Sequence, residues 1–115
     1  MGFSEFEIKR YQMILDDFME SKRPPVEIRD ELDIAYRIEN QSVVIFEIRP
    51  EFQNPSSKIE IEVAKTTYVR TKNKWKLFWM RRDLKWHSYE PDLFSDSIEE
   101  VLSVIDKDEN GCFWG

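Results

Sequence analysis

The sequence holds one cysteine, Cys112, and one histidine, His87. A lone thiol cannot close an intrachain disulfide, and one thiol with one imidazole cannot supply the usual structural zinc sets. Glycine occurs only at Gly2, Gly111 and Gly115, so there is no glycine-rich loop to cradle a phosphate. No apolar run approaches the ~18 residues needed to cross a bilayer. The stretch Met1-Gly2-Phe3-Ser4-Glu5-Phe6-Glu7 is acidic and lacks the apolar segment of a secretory signal. These absences lead to the expectation of a cytoplasmic protein with a reduced thiol, no membrane contact, no metal and no cofactor.

What is present suits a single α+β domain over residues 1–115. The chain is 41% hydrophobic and 14% aromatic, far too apolar for a disordered segment. Ile8, Tyr11, Leu15 and Phe18 recur at helical spacing, which predicts a helix over Phe3–Lys22. Ser4 and Glu7 have capping-box spacing, and Pro24-Pro25 stops the helix. Leu32 to Glu39 alternates as a half-buried strand, and Val43 to Arg49 reads as a second. Hydrophobic register favours an odd hairpin loop, Asn40 to Ser42. That loop places Ile34, Tyr36 and Ile38 on one face with Val44, Phe46 and Ile48. Ile59 to Arg70 is a third strand. A turn with Asn73 left-handed leads to a fourth at Trp75 to Arg82, and Asp83 to Tyr89 forms a turn plus a short fifth. Ser97 and Glu100 begin a final helix through Val101, Leu102 and Ile105, with fraying expected at Asp106 to Glu109. Gly111 to Gly115 is an apolar tail, expected to fold back through Phe113 and Trp114. The order is an N-terminal helix, a four- or five-stranded antiparallel meander, a short C-terminal helix and the tail.

Several blocks resemble a family of short bacterial proteins catalogued as a domain of unknown function. They are Arg23-Pro24-Pro25, Phe46-Glu47-Ile48-Arg49-Pro50, the Trp-rich run from Trp75 to Pro91, and Gly111-Cys112-Phe113-Trp114-Gly115. The resemblance covers nearly the whole chain. It implies a stand-alone domain of about this length and brings no activity or site residue with it.

Charge is the anomaly. The chain carries −6 overall, yet the segment from Lys65 to His87 carries +7 and the remaining 92 residues −13. Aromatic rings interleave the basic segment. The candidate binding surface is Arg70, Lys72, Lys74, Trp75, Lys76, Trp79, Arg81, Arg82, Lys85, Trp86 and His87. Lysine and arginine neutralise phosphates and flat rings stack on unpaired bases, so a single-strand or RNA platform is one reading. The abundant acid elsewhere can instead pair with these cations, and a protein partner is the favoured reading.

Three further constellations carry possible chemistry. Asp33 with Glu47 and Arg49 has the residue types of a metal-dependent nuclease, and also those of any solvated strand face. His87-Ser88 with Glu90 holds triad types, but neighbours on an extended chain point to opposite sides. A Cys112–His87 dyad requires a tertiary contact. No catalytic residue is assigned, and the leading reading is a non-enzymatic binding or protein-interaction module. The alternatives are single-stranded nucleic-acid binding through 65–87 and a metal-dependent hydrolase.

Overall fold

The computed structural model describes residues 2–114; the Met1 and Gly115 ends of the readings above lie outside them. Helix α1 spans Glu5–Lys22. The Ser4 hydroxyl accepts the Glu7 N–H at 3.2 Å, and the Glu7 carboxylate accepts the Ser4 N–H at 2.9 Å. This satisfies two of the amides that a helix start leaves without partners. Tyr11, Leu15 and Met19 form the buried stripe. The helix closes at Arg23, whose N–H reaches the Met19 carbonyl at 2.7 Å before the two prolines.

After a single turn of tight helix at Val26–Ile28, the strands follow in chain order: β1 Asp33–Glu39, β2 Ser42–Pro50, β3 Lys58–Val69, β4 Lys74–Met80, β5 Trp86–Ser88 and β6 Phe94–Ser95. All neighbours are antiparallel in the order β1-β2-β3-β4-β5, with β6 also on β4. The outer edge of β4 is shared: β6 takes the Trp75 end and β5 the Met80 end. Between them the Leu93 carbonyl accepts the Leu77 N–H, and the Leu77 carbonyl accepts the Tyr89 N–H, each at 2.9 Å. The expected meander is therefore present, with the two-residue β6 added.

The first hairpin corrects the expected register. Its turn is the two residues Asn40-Gln41, and Glu39 stands opposite Ser42. Asn40 adopts a left-handed backbone, φ 52°, as the tight two-residue turns demand. Ile34, Tyr36 and Ile38 therefore share a face with Val43 and Ile45. Those two residues are each only 1% exposed and sit in the main core. Val44 and Phe46 are also buried, but from the other side. Val44 lies between Arg37 and Lys65 in the ladders. The expectation failed because four consecutive apolar residues, Val43 to Phe46, carry no alternation to read.

Helix α2, Ile98–Lys107, packs on the same sheet face as α1 and buries Ile98, Val101, Leu102 and Ile105. Each such side chain contributes roughly 1.5–3 kcal/mol on removal from water. Phe3, Tyr11 and Trp75 meet at ring separations of 4.8–5.7 Å and tie α1 to β4. The end of α2 does not fray as expected. Asp108 takes a left-handed cap conformation, and its carboxylate accepts the N–H groups of Phe113 and Trp114 at 3.1 and 2.8 Å. The Trp114 indole donates to the Ile105 carbonyl at 2.9 Å, and the Phe113 ring lies 5.0 Å from that of Tyr89. The tail folds back as the sequence suggests, held by a residue that the dipole argument treats as misplaced.

Three carboxylates are held below their ordinary values: Glu7 by the Ser4 amide, Asp33 by the paired Arg23 guanidinium and Asp83 by His87. A carboxylate held low in the fold binds its proton more weakly there than in the unfolded chain. Its contribution is complete above the ordinary values of 3.8–4.5 and is lost as pH falls through the folded values. The melting temperature is therefore expected to be flat at neutral pH and to fall below about pH 4. An Asp33→Asn variant should show a shallower fall in a thermal melt series; an unchanged profile in that variant would count against the Arg23–Asp33 assignment.

Candidate functional site

Strand alternation sends every second side chain away from the helices. The face opposite α1 and α2 carries Lys65 and Thr67 from β3, and Lys74, Lys76, Phe78 and Met80 from β4. Trp86 of β5 stands opposite Met80, and Phe94 of β6 opposite Lys76. Lys72 joins them from the β3–β4 turn, its ammonium 5.4 Å from the Phe94 ring centroid. The ammonium groups of Lys65 and Lys76 lie 5.8 and 5.2 Å from the Phe78 centroid. A cation over a ring face is attracted by the ring quadrupole, so these lysines are held spread over a half-buried aromatic floor.

The two ends of this face differ electrostatically. On the β1 side, Arg37 is enclosed by Glu39, by Glu62 at 2.6 Å and by Glu60 at 3.4 Å. That end is net acidic, with one guanidinium among three carboxylates. On the β4 side, Lys74 pairs with Asp96. Among the described residues, no carboxylate oxygen lies within 4.0 Å of the charged side-chain group of Lys65, Lys72, Lys76, Arg81, Arg82 or Lys85.

The structure divides the candidates that the sequence groups together. Trp75 is 3% exposed and belongs to the core, so it contributes no binding surface. Arg70 turns back toward α1 and meets Glu7 at 3.4 Å. Trp79 and His87 are a cross-strand pair on the helix side of the sheet. With Arg81 and Cys112 they line an open groove of about 450 Å³ at a corner that neither helix covers. Lys72, Lys74, Lys76 and Trp86 share the open face, while Arg81, Arg82 and Lys85 ring the β4–β5 turn. That turn is ordered by its own bonds. The Asp83 carboxylate accepts the Lys85 N–H at 3.0 Å and lies 2.8 Å from the His87 ring nitrogen. Leu84 between them has φ 61° and is 80% exposed. The candidate surface leaves out Lys65 and Phe78, although both lie in the basic segment it is drawn from, and the sequence reading misses Phe94. The first two follow from period-two alternation once the β3–β4 register is fixed; Phe94 lies on a strand too short to carry a signal.

The register takes the Asp33–Glu47 pair apart. Asp33 stands opposite Ile48, and Glu47 opposite Ile34, so alternation sends the two carboxylates to opposite faces. Asp33 accepts two bonds from Arg23, at 2.9 and 2.7 Å, and Glu47 accepts one from Arg49 at 3.1 Å. Saturating Mg²⁺ or Mn²⁺ is therefore expected to leave the melting temperature unchanged, because only a ligand of the native state raises it. A rise removed by Asp33→Ala or Glu47→Ala would restore the metal reading. Burial pushes the Cys112 thiol up, with Asp108 adding to the effect, which is opposite to what an activated nucleophile needs.

The fold and this face define a small α+β domain with one sheet face covered by helices and the other open and basic at one end. A family model described as Domain of unknown function (DUF3024) matches residues 3–115, and the chain belongs to that family. No curated protein and no solved structure matches the chain. No helix among the described residues is long and apolar enough to cross a membrane.

Proposed function

We propose that the domain is a non-enzymatic binding module whose ligand is single-stranded nucleic acid, engaged by the open sheet face from Lys65 to Trp86. The observation that carries this reading is the set of cations without carboxylate neighbours around Phe78, Phe94 and Trp86. Like charges placed this close repel, and without acid beside them they are best satisfied from outside. Composition alone favours a protein partner; the placement of the lysines favours a polyanion. The acidic remainder of the chain does not decide the matter, because charges more than ~8 Å apart are largely screened at physiological salt. An antiparallel sheet with half-buried rings and flanking lysines offers stacking and phosphate neutralisation together.

A fluorescence titration with mixed-sequence oligonucleotides tests the reading. Affinity should drop steeply with salt. If about four phosphates are neutralised, the loss between 50 and 200 mM salt is roughly 50-fold. Binding that is absent at low salt, or indifferent to salt, would remove the polyanion as the ligand.

A further inference from the structure

Strand β3 is twelve residues long, but β4 pairs only with its second half, from Ala64 to Val69. From Lys58 to Val63 its outer edge has no strand and no backbone hydrogen bond beyond β2 among the described residues. On the helix side of this free segment, Ile59 and Ile61 are each 41% exposed, past the reach of both helices. An unpaired edge with an apolar row is a template for another strand.

We infer that the occupant of this edge is the same segment of a second copy, paired antiparallel about a two-fold axis at Ile59. Two-fold pairing that keeps each face intact permits centres at Ile59, Glu60 or Ile61. Centring on Glu60 sets Glu60 against its own copy and Lys58 against Glu62, which Arg37 already holds at 2.6 Å, and centring on Ile61 sets Glu60 against Glu62. Both oppose like charges directly, which is destabilising. The Ile59 centre alone places Lys58 opposite Glu60, twice by symmetry, and buries Ile59 against Ile59. Neither Lys58 nor Glu60 is locked away. Lys58 donates to the Asp30 carbonyl at 2.7 Å and reaches the fully exposed Asp30 carboxylate only at 3.9 Å, and Glu60 is the longest of the Arg37 contacts. The pairing is independent of the nucleic-acid reading, since it uses a different edge and the opposite face.

Sedimentation velocity on the full chain up to about 100 µM, where a small interface still assembles, reads this directly. The wild-type chain is expected to dimerise reversibly. Lys58→Glu turns both ion pairs into repulsions and should weaken the dimer by roughly tenfold or more. Adding Glu60→Lys restores opposite charges in the swapped sense and should recover the dimer to within a few-fold. Circular dichroism confirms folding, which these exposed positions leave intact. A wild-type chain that stays monomeric overturns the inference. So does a dimer indifferent to Lys58→Glu, or a double variant that fails to recover.

Discussion

Phe113→Ala is expected to lower the melting temperature by roughly 12–20 °C. Phe113 is 6% exposed, packs against Tyr89 and belongs to the main core. Truncating a buried phenylalanine removes its transfer free energy and leaves a cavity, together roughly 3–5 kcal/mol. In a domain of this size each kcal/mol shifts the transition by roughly 4 °C. The effect is large for a position so near the C-terminus because the tail is anchored twice. Asp108 holds its backbone, and the Trp114 indole donates to the Ile105 carbonyl. A shift below about 3 °C in a calorimetric melt would mean that the tail adds little to the core and is available for docking.

The second large effect concerns affinity. Lys65→Glu with Lys76→Glu should weaken oligonucleotide binding by roughly a hundredfold at low salt. Both ammonium groups flank Phe78 on the open face, and neither has a carboxylate beside it to be disturbed. The double change removes two phosphate contacts and adds two repulsive charges, so it should also flatten the salt dependence by more than one unit of slope. Melting temperatures should stay close to wild type, because half-exposed substitutions on a solvated strand face cost little. Lys74→Glu should cost stability as well, since it faces Asp96. Retained affinity in the Lys65, Lys76 variant, measured by fluorescence anisotropy, would move the ligand off this face.

How much of this was legible in the sequence depends on how strongly each element alternates. Both helices were, because Ser4 with Glu7 and Ser97 with Glu100 mark their starts and the apolar spacing does the rest. The left-handed turn residue Asn73 was also readable, with φ 53°. The register of the first hairpin was not, because Val43 to Phe46 is apolar at every position and only the Asn40 turn geometry fixes it. The site was legible as a segment but not as a surface. The basic run names the right hairpin, yet strand alternation divides it between two faces, and Trp75 goes to the core to meet Phe3 and Tyr11. Which lysines lack acid neighbours is a tertiary fact. Glu7 reaches Arg70 from α1 and Asp96 reaches Lys74 from beside β6, contacts that no local pattern encodes.

The central claim is that a single-stranded polyanion lies across the open face. Amide chemical-shift mapping of the isotopically labelled full chain, titrated with a mixed-sequence single-stranded oligonucleotide at low salt, tests it most directly. The account predicts perturbations concentrated at Lys65, Thr67, Lys72, Lys76, Phe78 and Trp86, with the helices α1 and α2 silent and the shifts reversed by added salt. Perturbations confined to the helices, or none at millimolar oligonucleotide, would contradict it.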